Sequence, residues 1–188
     1  MRKLLINLLT VVLIVSLMSV IEVFSGNKKK DDAGMVVWYR MFHVAKNINK
    51  NIVVYEIGYS SPSARGEAPK FLEKNPVHPY WIVYEKNGKV DELNFIEKTK
   101  VYGITVKKAS NALVEFIVKP LPEKVIKVEF IKENNLYTPV AIANINNENC
   151  FIKEIFVNTK HRLKAPDFID VKGISLKSGK EVLEHIVK

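Results

Sequence analysis

From Met35 onward, apolar and polar residues alternate mostly with a period of two, the signature of strands with one face toward a core. Met35 to Val44 reads as extended, with Val36, Trp38, Phe42 and Val44 on one side and Met35, Val37, Tyr39, Met41 and His43 on the other. Arg40 interrupts the first side. The polar run Lys46-Asn47-Ile48-Asn49-Lys50-Asn51 predicts a turn, and Ile52 to Ile57 returns as the second arm of a hairpin. Further on, turn signals recur roughly every 10 to 15 residues, as in antiparallel sandwiches and barrels. They delimit strands over Ile104–Lys108, Ala112–Val118, Val125–Ile131, Tyr137–Ile145, Cys150–Val157 and Phe168–Leu176. Glu181–Val187 fits either a strand or a helical turn.

The stretch from Asn75 to Gly103 looks like the hub. In an extended chain Tyr80, Ile82 and Tyr84 share one face and Trp81, Val83 and Glu85 the other, so both faces are largely apolar. Such a strand is expected in the middle of a sheet, covered on both sides, with Trp81 buried. Asn87-Gly88 tolerates positive φ and predicts a reversal of the chain. The spacing of Leu93, Ile96 and Val101, beside Phe95 and Tyr102, predicts a helix over Glu92–Tyr102, capped by Asp91 and ended by a left-handed Gly103. The expected fold is therefore a mostly β, antiparallel barrel or sandwich of about eight to ten strands with one covering helix. Between the first hairpin and the hub, Gly58 to Pro79 carries four prolines and a serine cluster. A loop of that length predicts either a lid or an insertion, with Phe71 and Leu72 available to tack it to the body.

The first residues belong to a different class. Arg2 and Lys3 precede an apolar run from Leu4 to Ile21, and Ser25 offers a small residue at a cleavage position before Gly26. Residues 1–25 are read as a signal peptide, or as an anchor through residues 4–24, since the run approaches the length that spans a bilayer. Residues 26–34 read as a flexible linker and 35–188 as one β-rich domain. Export to the periplasm or the exterior follows as the expectation. With Arg2, Lys3 and Glu22 removed from the 29 basic and 20 acidic residues, 27 and 19 remain, a balance of about +8. Most of that charge is lysine, which solubilises, and an exported protein has little access to nucleic acid. The single Cys150 excludes an internal disulfide.

Over nearly the whole mature chain the sequence resembles a family of exported bacterial proteins known only as a domain of unknown function. The resemblance is carried by Phe42-His43-Val44 followed by Asn51-Ile52-Val53-Val54-Tyr55, and by Asn75-Pro76-Val77 with Tyr80-Trp81. Tyr102-Gly103, Gly173 and Gly179-Lys180-Glu181-Val182 complete it. It implies a shared fold and export, and no activity or catalytic residue.

The residues themselves lack a Gly-x-Ser-x-Gly elbow, a phosphate-cradling glycine loop, a Cys-x-x-Cys pair and a His-Glu-x-x-His motif. His43, His78, His161 and His185 are too far apart in sequence to suggest a metal site, and no cofactor is implied. An arginine beside Trp38 and Phe42 must emerge at the surface, stack on a ring, or pair with an acid or a bound anion. Two function classes follow. The first is a non-enzymatic envelope module that binds a small ligand, a glycan or an envelope protein. Its site would be an aromatic cavity of Trp38, Tyr80, Trp81, Tyr84 and Tyr102, with Arg40, His43 and Glu85 as polar groups and the Gly58–Pro79 loop as rim. The second is an envelope hydrolase using His43 or His78 with Glu85 as acid and base.

Overall fold

A computed structural model describes residues 29–31, 34–62, 67–134, 136–160 and 165–188. The leader, Arg65, His161 and Arg162 lie outside the described residues. Thirteen strands are described: β1 (Lys29–Asp31), β2 (Gly34–Lys46), β3 (Ile52–Ser60), β4 (Lys70–Phe71), β5 (Val77–Val83) and β6 (Lys89–Glu92). They are followed by β7 (Ile104–Ala109), β8 (Leu113–Val118), β9 (Leu121–Glu133), β10 (Leu136–Ile145), β11 (Glu148–Asn158), β12 (Phe168–Ser175) and β13 (Glu181–Val187). Among the described residues no helix is long and apolar enough to cross a membrane.

The β class is as expected, but the strands outnumber the eight to ten counted from turns. Two of the extra ones come from low-contrast sequence. β1 lies inside the stretch read as a linker and pairs with the start of β2, and β4 lies inside the proline-rich loop and pairs with the end of β3. A third, β6, occupies residues expected to begin the helix.

All strands join one hydrogen-bonded sheet, with the order β6-β5-β3-β2-β11-β10-β9-β8-β7 along its main path. Its pairings are antiparallel except that of β2 with β11. The architecture turns on β11. Along one edge it pairs with β12 from Cys150 to Asn158. The other edge is divided: Glu148 to Phe151 pair with β10, whereas Glu154 to Val157 pair with β2. An irregularity between Ile152 and Glu154 marks the point of divergence.

From this fork, β2, β3, β5 and β6 form one wing and β10 to β7 the other, and their inner faces meet. Phe42 of β2 stacks on Tyr55 of β3 at 4.9 Å and faces Phe116 of β8 at 6.4 Å. Phe71 stacks on Phe130 of β9 at 4.1 Å, with Tyr59 edge-on to the same ring. The sheet does not close into a barrel. β13 and the residue that follows it meet β9 through side chains, Lys124 with Glu184 at 2.8 Å and Lys188 with Glu123 at 2.6 Å.

Several local expectations hold. The β2–β3 hairpin forms, Asn87 and Gly88 both take positive φ, and Asn146 and Asn147 do the same in the β10–β11 turn. Phe71 is buried, and its N–H donates to the Asn111 carbonyl at 2.9 Å, so the proline-rich segment is tied down as its apolar residues suggested.

The hub is placed differently. β5 lies between β3 and the edge strand β6, one strand from the end of the path rather than in its middle. The expected helix over Glu92–Tyr102 is absent. Backbone pairing continues through β6 because Lys89 to Glu92 complete a ladder with β5, so Asp91 lies opposite Trp81 instead of capping a helix. The helical turn starts only at Asn94. There the Asn94 side chain accepts from the Glu97 N–H at 3.0 Å and the Glu97 carboxylate accepts from the Asn94 N–H at 2.9 Å, a reciprocal box. The turn ends almost at once, where the Tyr102 N–H donates to the Glu97 carbonyl at 2.8 Å, a five-residue step. Leu93 and Tyr102 are buried at its two ends while Phe95 and Ile96 stay exposed, so the segment is pinned at its termini and does not cover the sheet. Gly103 is not left-handed. It is glycine because a Cβ would lie 1.6 Å from the Lys98 carbonyl oxygen.

Candidate functional site

The segment from Leu93 to Gly103 carries the chain from β6 to β7, the two ends of the sheet path, and so from one wing to the other. Beneath it, on the inner face of the β2–β3–β5–β6 wing, the core gives way to an open cleft of about 530 Å³. That volume falls within the range of small-molecule sites. Strand register explains which side chains arrive there. Val44, Val53, Trp81 and Asp91 are successive cross-strand partners, and the first two are core residues, so Trp81 and Asp91 continue the same inner row toward the open edge. Lys46 follows Val44 on the same face of β2.

The aromatic walls are Trp81 and Tyr102, with ring centroids 5.0 Å apart at 81°. Trp81 is only half-buried, against the expectation of a fully covered tryptophan, because its strand stands one position from the sheet end. Tyr102 is held from behind: the buried Tyr55 hydroxyl donates to its main-chain carbonyl at 2.7 Å. The Lys46 ammonium sits over the Tyr102 ring, 4.7 Å from its centroid. Val83, Ile48, Ile96 and Val101 add apolar surface, and Asn49, Asn51, Asn94, Asp91, Glu92 and Glu97 add amides and carboxylates. The Asp91 carboxyl is held below its ordinary range by the hydrogen-bonded Lys89 ammonium at 2.6 Å. Burial raises the Glu92 carboxyl, but Lys98 and His78 outweigh it and the net shift is downward.

The residues expected to form one site are divided between two faces. Trp81 and Tyr102 line the cleft, while Trp38, Arg40, His43 and Tyr80 lie on the opposite, outer face of the same wing. Tyr84 is exposed in the short turn after β5, and none of the described residues of the Gly58–Pro79 loop lines the cleft, whose rim is made by the Lys46–Asn51 turn and the Asp91–Tyr102 segment. Among the described residues Glu85 does not meet a histidine. Its carboxylate accepts from the Asn51 side-chain amide at 3.3 Å.

Arg40 owes its place to a bulge. The register shifts between Arg40 and Phe42, so Tyr39 and Phe42 both pack on the core and Arg40 falls on the outer face with Trp38. It therefore does not interrupt the buried side. There it donates to the Tyr80 hydroxyl at 3.3 Å, and that hydroxyl donates to the Glu56 carboxylate at 2.6 Å. Burial, then the Glu56 hydrogen bond, pushes the Tyr80 phenol up to about 12. Trp38 packs edge-on to His78 at 5.6 Å and lies across Gly58, where a Cβ would come within 2.9 Å of its ring.

The three described histidines find carboxylates on neighbouring strands. His43 lies 3.5 Å from Glu154, which also takes Lys172 at 3.1 Å. His78 lies 2.9 Å from Glu92, and His185 lies 2.6 Å from Asp170. Burial lowers the His43 pKa below its ordinary value, with Arg40 and Lys172 acting in the same sense against Glu154. Among the described residues no three His, Cys, Asp or Glu side chains are gathered to hold a metal ion.

The profile of a domain of unknown function, DUF4833, matches residues 42–185. The chain belongs to that family. No curated protein and no solved structure matches it. The match begins at Phe42, the first residue of the Phe42-His43-Val44 motif, and it contains both aromatic walls of the cleft. Sequence reasoning missed the rest of the lining in this DUF4833 member, above all Lys46, Asn51, Asp91 and Asn94. The available signal is the density of asparagine in the turn after β2, which serves lining as well as chain reversal.

Proposed function

We propose that this chain is a non-catalytic, exported binding module of the cell envelope that takes a small ligand, a glycan or a segment of an envelope protein in the cleft under residues 93–103. The observation that carries the reading is the state of Trp81. A large ring packed on the core yet left partly exposed at right angles to a second ring, within a cleft edged by amides and carboxylates, is suited to hold a partly apolar, hydrogen-bonding ligand. The separation of Glu85 from His43 and His78 speaks against the acid–base pair that a hydrolase reading requires. Export rests on the apolar leader with its basic start.

Native mass spectrometry of the protein purified from its own envelope tests this. The expected result is a retained mass that is lost from a folded Trp81→Ala variant. A protein that carries nothing, or a retained mass indifferent to Trp81, would overturn it.

A further inference from the structure

We infer that the cleft is built for an uncharged sugar carrying an acetamido group, with the Trp81 ring against the sugar's C–H face and the side-chain amides of Asn49 and Asn94 as donors to its oxygens. This rests on the binding role proposed for the cleft and names the chemistry it selects. The charges of the lining favour a neutral ligand. Asp91 is paired with Lys89, and Glu92 with Lys98 and His78. That leaves Glu97 and Lys46 in the lining, one charge of each sign, so the cleft offers little net field to an ion. Tyr102 is closed to a ligand, being 4% exposed with the Lys46 ammonium over its ring. Trp81 is the aromatic wall within reach: it packs on the core yet stays partly exposed, and Tyr102 meets it edge-on at 81°.

Hydrogen bonding then selects an acceptor. Asn49 Oδ1 accepts from the Asn51 N–H at 3.0 Å, and Asn94 Oδ1 accepts from the Glu97 N–H at 3.0 Å. A backbone N–H can be met only by the amide oxygen, so both side chains are fixed with the oxygen spent and the Nδ2 donors left over. Among the described residues neither Nδ2 group meets an acceptor, and the Trp81 indole N–H, which is not buried, meets none either. Asn51, by contrast, is engaged at both ends by Glu85. Three donors of the lining therefore await acceptors beside an apolar ring. A sugar hydroxyl can accept from them and turn its own hydrogen to Glu97 or to water, and an acetamido carbonyl accepts twice while its methyl group suits the apolar Ile96 and Val101. A peptide brings a fixed N–H with nearly every carbonyl, and those N–H groups would find the oxygens of Asn49, Asn51 and Asn94 already engaged.

The test titrates three neutral probes into the full chain by isothermal calorimetry: tri-N-acetylchitotriose, cellotriose, which carries hydroxyls in place of the acetamido groups, and N-acetyl-trialanine amide. Tri-N-acetylchitotriose is expected to bind saturably and roughly fivefold or more tighter than cellotriose, and the peptide is expected not to bind. Asn49→Asp and Asn94→Asp keep the oxygen that accepts the backbone N–H and remove the donor. Each is expected to weaken tri-N-acetylchitotriose roughly three- to tenfold while the chain still folds, as its melting transition would show. No saturable binding of tri-N-acetylchitotriose, equal affinity for cellotriose, binding of the peptide, or unchanged affinity in either aspartate variant would overturn the inference. If it fails while native mass spectrometry still finds a Trp81-dependent mass, the acetamido sugar falls and the binding role stands. If both fail, both fall.

Discussion

The hydroxyl of Tyr55, in the middle of β3, donates to the main-chain carbonyl of Tyr102 at 2.7 Å across the core. The bond ties the fully buried centre of one wing to the segment that roofs the cleft. Tyr55→Phe keeps the ring, which stacks on Phe42, and leaves a buried carbonyl without its donor. A loss of about 1 to 3 kcal/mol is expected by chemical denaturation. A loss of ligand affinity in the same variant would show that the roof had moved as well.

Trp81→Ala and Phe116→Ala separate site from core. Phe116 is fully buried between the wings, and its truncation should cost about 3 to 5 kcal/mol. Trp81 is half-buried beside a cleft that can admit water, so a smaller loss of about 1 to 3 kcal/mol is expected. Denaturation midpoints of the two variants, side by side, check the order.

Gly103→Ala should be among the costlier single-methyl additions in the chain. The new Cβ would overlap the Lys98 carbonyl, a backbone atom inside the five-residue step, and the turn would have to unwind to admit it. About 3 kcal/mol is expected. Gly88→Ala meets no atom within 4 Å and suffers only from its φ of +75°, about 1 to 2 kcal/mol. Thermal melts of the pair would distinguish crowding from conformational preference.

The histidine on β2 gives stability a pH dependence of definite sign. The folded-state pKa of His43 lies below its unfolded value near 6.5, so the stability it confers is complete above that value and is lost as pH falls through the folded one. Denaturation at about pH 8 and about pH 5 should show this loss, and His43→Gln should reduce it. A variant with an unchanged pH profile would show that His43 is not the responsible group.

At the alkaline end the sign reverses. The Tyr80 phenol is raised to about 12, and burial raises Tyr55 as well, so stability is complete below the unfolded value of 10.0 and declines above it. Tyr80→Phe should remove its share of the decline between about pH 10 and pH 12. Absorbance titration of the phenols checks the same shift directly.

Alternation of side chains and asparagine-rich turns were enough to determine that this is a β protein and where most strands begin and end, because a half-buried strand repeats every two residues and positive φ favours asparagine and glycine. The family was legible for the same reason, since its short motifs lie within strands and turns. What the chain could not show locally was register. Whether Arg40 lies inside or outside depends on one bulge, and that bulge arises from pairing β2 with β3. Glu92 becomes a strand residue only because β5 offers it a ladder, which overrides an apolar spacing suited to a helix. The cleft is a tertiary property throughout. Lys46, Trp81, Asp91 and Tyr102 come together because three strands and one crossing segment converge at the open end of a forked sheet, a distance relation that no period along the chain encodes.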